Sequence, residues 1–279
     1  MRGLFFVAAA AAAGRSTRTL ALLDRDISVA AQVLAQWGAT VDPLPTSSDE
    51  ESDWLAVLDG SRLLVEEKLK FDDPKALAAR AAAFAAGEVH GSVLPLTHNN
   101  RISGIVRKAA SQLSSTSRNT PHDLRILWFT GSGYDGEAKH FQFMATLYGS
   151  TRIFELDHSV MKQCYFFRNG DFFRFKEHLD GAVAAFINGN SVTVKLCLNP
   201  YSPNWEALRD SPYARHFKHG LIDPVADERA GEAYIADTDI DRRDEAAVLK
   251  YLETKYGLQR VMNMDMSLAS AAVQVPNER

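Results

Sequence analysis

SDWLAVLDGSRLLVEEKLK, residues 52–70, decides how this chain is read. Apolar and polar residues alternate on either side of Asp59-Gly60, a dipeptide suited to the positive φ angles of a type I′ turn. The stretch therefore predicts a β-hairpin. A two-residue turn sets Asp53 directly opposite Glu66. A four-residue turn opposes Asp53 to Lys68 and keeps all three residues on one face, and a three-residue turn presents Glu67 instead. Carboxylates opposed across a sheet repel unless a proton or a cation lies between them. With Cβ atoms about 5 Å apart, two carboxylates can converge on one hard cation such as Mg²⁺ or Mn²⁺. Lys68 alternates back onto the same face, so its ammonium points beside that cation. Two acids and a lysine around a metal suit phosphodiester hydrolysis: the metal polarises a phosphoryl oxygen and acidifies a bound water, and the lysine orients that water or meets developing charge. The plainer alternative is a hairpin edge guarded by charges against aggregation.

The flanking segments give the hairpin a context. Ile27, Ala30, Ala31 and Leu34 recur at helical spacing over residues 27–37, and the short extended run ATVDPLP follows at 39–45. TSSDEES, residues 46–52, reads as an exposed loop. Beyond the hairpin, DDPKALAARAAAFAAG at 72–87 predicts a helix with Asp73 as N-cap, Pro74 in its first turn and Gly87 at its stop. Ile102, Ile105, Val106, Ala109 and Leu113 then form one apolar stripe, which leaves Ser103, Arg107, Lys108, Ser111 and Gln112 on the wetter side of the helix. LRILWFT, residues 124–130, is apolar enough for a strand buried on both faces. The order is helix, strand, strand, strand, helix, strand, with one Ala-rich helix inserted.

Asp53 followed by Glu66, Glu67 and Lys68 as E-x-K, set in that order of elements, resembles the PD-(D/E)XK, or restriction-endonuclease-like, nuclease superfamily. The resemblance implies an α/β fold with a mixed central sheet flanked by helices. Residues 20–156 would form the nuclease-like core, between an N-terminal segment at 1–19 and a C-terminal α+β extension at 157–279. It implies Asp53 and Glu66 as metal ligands, Lys68 as the catalytic lysine, and Gln112 as the glutamine that some members carry on the following helix. The cofactor would be Mg²⁺ or Mn²⁺. The activity would be phosphodiester hydrolysis, with DNA as the expected substrate in restriction, repair or defence and a homodimer allowed. Two positions depart from the pattern: Ser52 stands where proline is usual, and only Asp24 and Asp26 lie near the first helix, where many members carry a further acid. A nuclease-like chain that binds without cutting is a separate expectation. Arg101, Arg107, Lys108, Arg118 and Arg125 cluster against the single acid Asp123. Arg107 and Lys108, on the helix after the E-x-K strand, are where nucleic-acid phosphates would be met, the alternative being a solvated helix face.

Composition bounds the rest. At 279 residues and 46% hydrophobic the chain can bury a substantial core, and its net charge of −4 leaves any nucleic-acid surface to a local patch. Cys164 and Cys197 are the only cysteines, too few for a disulfide scaffold, and a cytoplasmic location is expected. No apolar run is long enough to span a membrane. GLFFVAAAAAAG, residues 3–14, has the length of a signal-peptide h-region but is read as an Ala-rich helix or a buried strand and helix start, since one preceding charge is thin support.

Other motifs compete. GSGYDG, residues 131–136, follows a strand and opens a helix, and Asp157 stands near the end of the next strand, TRIFEL at 151–156. It resembles a dinucleotide fingerprint and makes a nucleotide-binding enzyme the alternative function. Lys139 and His140 interrupt the apolar packing such a helix needs, and a plain strand-to-helix loop is the simpler reading. DTDID at 237–241 starts like a calcium loop, but Arg242 and Val248 stand where glycine and a bidentate Glu are required. His216 and His219 have no Cys or acid beside them and read as surface residues. QCYFFRNGDFFRF predicts an Asn-Gly hairpin or turn at 169 and 170, SVTVKLCL at 191–198 a strand, and residues 244–256 a helix ending at Gly257, with the last residues of the chain frayed.

Overall fold

The computed structural model describes residues 18–19, 28–45 and 52–273. Within them the chain runs β1 (Arg18–Thr19), α1 (Val29–Gln36), β2 (Thr40–Pro43), β3 (Trp54–Leu58), β4 (Ser61–Lys70), α2 (Pro74–Ala85), β5 (His90–Pro95), α3 (Asn100–Thr116), β6 (Leu124–Gly131), α4 (Gly136–Tyr148), β7 (Thr151–Glu155), β8 (Val160–Tyr165) and α5 (Asp171–Arg174). It continues with β9 (Gly181–Asn188), β10 (Ser191–Leu198), α6 (Trp205–Arg209), a 3-10 turn (Ala214–Phe217), β11 (Leu221–Ile222), α7 (Pro224–Arg229), β12 (Ala233–Ile235), α8 (Glu245–Tyr256), β13 (Val261–Met264) and β14 (Ser267–Ala272). Residues 3–14, Asp24 and Asp26 lie outside the described residues.

The hairpin takes the two-residue turn. Asp59 and Gly60 both have positive φ, 49° and 79°, and Leu58 pairs with Ser61 while Trp54 pairs with Val65. The paired ladder ends at Trp54, and Asp53 sits just beyond it, its backbone N–H on the Val65 carbonyl and its side chain on the Glu67 N–H. The twist of a type I′ turn matches that of its strands, so the register is set locally.

The hairpin belongs to an eight-stranded mixed sheet, in the order β1-β10-β9-β6-β4-β3-β2 with β11 against β10. Its centre, β4-β6-β9, is parallel, and antiparallel hairpins flank it on both sides. Parallel neighbours require crossover connections, and α3 supplies one between β4 and β6. Packing divides by strand parity. Leu63, Val65, Ile126 and Trp128 face a core closed by α1, Leu208, Tyr213 and Phe217. Leu64, Leu127 and Phe129 face the opposite core beneath α3 and α4, with Val106, Ala109, Leu113 and Phe143. The chain is thus a mixed α/β protein with helices on both faces of a central sheet.

A second sheet, β12-β8-β7-β13, packs under α8 around Ile153, Cys164 and Leu252. A third, β5 with β14, joins residues far apart in sequence. Several expectations change here. The boundary at 156/157 is not architectural, because β9 and β10 complete the central sheet while β7 belongs to the second one. Residues 169 and 170 form no hairpin: β8 ends at Tyr165, and Gly170 caps the single-turn α5. β13 and β14 carry paired strand to Ala272, and the last residues, 274–279, lie outside the described residues. β5 is a further element inserted between α2 and α3. No helix among the described residues is long and apolar enough to cross a membrane.

Candidate active site

β4 carries three charged residues in succession, and the pleat sends them to different neighbours. Glu67 points to the α1 face. Its carboxylate accepts from the Ala30 backbone N–H at 3.0 Å and from Trp54 Nε1 at 3.2 Å, and also from the Ser28 hydroxyl. Ser28 is itself the N-cap of α1, so Glu67 pins the start of that helix to the sheet. This middle position of E-x-K is structural.

Glu66 and Lys68 lie on the other face, with Asp53 across from them. Glu66 is fully buried, and its Oε1 forms an ion pair with Lys68 Nζ, whose side chain remains 25% exposed. Apart from the Lys68 ammonium, neither Glu66 oxygen receives a hydrogen-bond donor among the described residues. Burial pushes its carboxyl up to about 7; Lys68 pulls it back, the Asp53 carboxylate raises it further, and Lys68 and Lys108 lower it through their charge. The charges of Asp53, Lys68 and Lys108 thus all reach Glu66, and Lys68 touches it. Asp53 Oδ2 accepts the Glu67 backbone N–H at 2.7 Å, continuing the ladder with a side chain past the first residue of β3. One Asp53 oxygen is thereby committed to the fold.

α3 covers this cluster. The charge reaching Glu66 from the helix is that of Lys108, and Thr116 Oγ1 accepts the Ser52 backbone N–H at 2.7 Å. Gln112 stands one helical turn from each, on the stripe between them. Gln112 and Ser103 are buried, not on the wetter side as the hydropathy pattern predicts. Thr116 is turned inward by the Ser52 N–H and Ser103 by Asp171. Spacing of i, i+4 and i+8 is the signal that finds Thr116. Arg107 is placed otherwise: it is exposed, and its charge reaches Asp171, which Ser103 Oγ contacts at 3.1 Å. The rest of the basic cluster is largely engaged: Arg101 with Asp73, and Arg125 with Asp180. Asp123 pairs with Arg62.

The glycine loop is filled by the chain itself. Gly133 has φ +88°, and the Asp72 carboxylate sits in the nest, accepting from the backbone N–H of Tyr134 at 2.8 Å and of Asp135 at 3.1 Å. Lys139 Nζ closes on the same carboxylate and on the Ser132 carbonyl. A Cβ built on Gly133 would lie 2.4 Å from Asp72 Oδ2. The glycines serve internal packing, and the anion position of a dinucleotide site is taken. The strand after α4, β7, pairs in the second sheet and not beside β6, so Asp157 is not where a ribose-binding acid belongs; it pairs with Arg260. His140 is fully buried between Phe141 and Phe186, and burial pushes its imidazole down to about 3. Asp237 and Asp241 engage Lys255 and Arg243. His216 stacks on Trp37.

No group of three or more His, Cys, Asp or Glu placed to hold a metal occurs among the described residues. The donors at the cluster are two carboxylates. That number suits Mg²⁺ or Mn²⁺, hard cations that keep several waters and bind through one or two protein carboxylates. The buried Glu66 carboxylate, whose sole donor among the described residues is the Lys68 ammonium, is the feature that fits such an ion. Lys68 now holds that carboxylate, so a cation would have to displace its ammonium. Comparison with protein-family models, with curated proteins and with solved structures finds no match.

Proposed function

We propose that this protein is a metal-dependent nuclease whose active site is Asp53, Glu66 and Lys68. The observation that carries the reading is the buried Glu66 carboxyl: the Asp53 charge reaches it, and the Lys68 ammonium is its sole hydrogen-bond donor among the described residues. A buried carboxyl left in that state costs stability, and such costs concentrate where a ligand or a reaction uses the group. The order α1, β2, β3, β4, α3, β6, with strands side by side as β2-β3-β4-β6, supports a restriction-endonuclease-like core.

In this reading Asp53 and Glu66 hold Mg²⁺ or Mn²⁺, which supplies Lewis-acid polarisation of the phosphodiester and a more acidic water. Lys68 leaves its ion pair with Glu66 and turns to the phosphate or the attacking water, where its charge opposes the negative charge that builds during displacement. Lys108, exposed on α3 with its charge near Glu66, contacts the substrate backbone. The closed Glu66–Lys68 pair also favours a second reading, a nuclease-like chain that binds nucleic acid without cutting it.

Incubation of the full chain with plasmid DNA and with single-stranded RNA, in Mg²⁺, Mn²⁺ or EDTA, separates the two. The nuclease reading expects cleavage that EDTA abolishes and that Glu66→Gln and Lys68→Ala each lower by about a hundredfold or more. Metal-independent binding with no cleavage of either polymer supports the second reading.

A further inference from the structure

Between the central sheet, the second sheet and α4 lies a cavity of about 610 Å³, within the range of roughly 300–1,000 Å³ typical of small-molecule sites. Its walls are mostly apolar, with Phe141, Met144 and Tyr148 from α4 and Leu268 from β14. Two cations interrupt them. Arg152 enters from β7 and Lys195 from β10. Both are half-buried, and neither forms an ion pair with a carboxylate among the described residues. Burial pushes the Arg152 guanidinium below its ordinary value, the expected sign for a charge withdrawn from water without a counter-ion. The acids on the wall do not relieve it. Asp265 is held by Arg168 at 2.8 Å, and Glu137 makes no ion pair among the described residues.

We propose that this cavity binds a small organic anion, a phosphate or carboxylate head on an apolar or aromatic body, with Arg152 and Lys195 as its charge partners. Apolar walls with two cations match an amphipathic anion: the body gains by leaving water, and the head supplies the missing counter-charge. Glu137 offers an acceptor to a hydroxyl or amino group on the same molecule. The proposal is independent of the nuclease reading, since none of these residues belongs to the Glu66 cluster.

The test is fluorescence titration of the full chain with 8-anilinonaphthalene-1-sulfonate and with N-phenyl-1-naphthylamine, the same ring system without the sulfonate. The proposal expects saturable binding of the sulfonate, weakened about tenfold by Arg152→Gln and by Lys195→Gln, with the neutral dye unaffected. Arg152→Lys and Lys195→Arg should retain most of the affinity, which guards against a folding defect. Displacement by AMP assigns a phosphate head and displacement by decanoate a carboxylate head. Sulfonate affinity unchanged in both charge-removing variants, or displacement by neither competitor, overturns the proposal. Dye held on the exposed apolar residues near α2 would survive both substitutions and so would not be mistaken for this site.

Discussion

Glu66, midway along β4, and Asp72, just past its end, are both buried and both ion-paired to a lysine, yet their surroundings are opposite. Asp72 is answered in full. Burial alone would raise its carboxyl, but Lys139 and the backbone N–H groups of Asp135 and Tyr134 hold it below the usual carboxylate range. Glu66 has Lys68 as its one ion-pair partner, with the charge of Lys108 more distant and that of the Asp53 carboxylate opposing, and its carboxyl is pushed up to about 7 by burial. A satisfied carboxylate locks a loop. An unsatisfied one is a place where a cation gains more than it would in water. Sequence motifs point to both places, and the hydrogen-bond account separates the structural one from the candidate active site.

The largest expected effect breaks the comparison on the Asp72 side. Asp72→Ala leaves Lys139 buried without its carboxylate, and should destabilise the fold by about 4 kcal/mol in denaturant unfolding. A loss under about 1 kcal/mol would mean the loop does not depend on that carboxylate.

The next effect is on the Glu66 side and is read in EDTA. The folded-state pKa of about 7 lies above the 4.5 of an exposed glutamate. The native state therefore holds the proton more tightly, and this group's contribution to stability is present below pH 4.5 and lost as pH rises through about 7. Glu66→Gln removes that slope. Relative to the variant, wild type should lose on the order of 3 kcal/mol from acid to mildly alkaline pH. Parallel stability profiles for the two proteins would show that Glu66 is not held in the environment described.

Gly133→Ala sharpens the contrast. The new methyl meets a pinned carboxylate at a positive φ, and the expected cost is about 2 kcal/mol with metal and nucleic-acid behaviour unchanged. The smallest effect concerns the helix above the cluster. Lys108→Ala should lower the slope of log affinity against log salt for DNA by about 1, and Arg107→Ala, facing Asp171, by less. Equal slopes for wild type and both variants would remove α3 from any nucleic-acid surface.

How much of this was legible in the sequence depends on the range of the interaction. Asp59-Gly60 sets its own register, and the hairpin that brings Asp53 to the Glu66–Lys68 segment follows from residues adjacent in the chain. Asp73 capping α2 is equally local. The pairing of β5 with β14 has no local signature, since its strands meet only once the intervening chain has folded. Thr116 shows the same limit: its inward turn answers the Ser52 N–H, which another element brings beneath the helix. The glycine loop was readable as a motif, but the carboxylate that fills it comes from Asp72, after a different strand.

The central claim is that Asp53 and Glu66 hold a divalent cation over which Lys68 presides, and calorimetric titration of Mn²⁺ into wild type, Asp53→Asn, Glu66→Gln and Lys68→Ala tests it most directly. The account predicts one bound ion in wild type, affinity at least about tenfold weaker in each carboxylate variant, and equal or tighter binding in Lys68→Ala, where the competing ammonium is gone. No Mn²⁺ binding by wild type, or the same affinity in all four proteins, would contradict it.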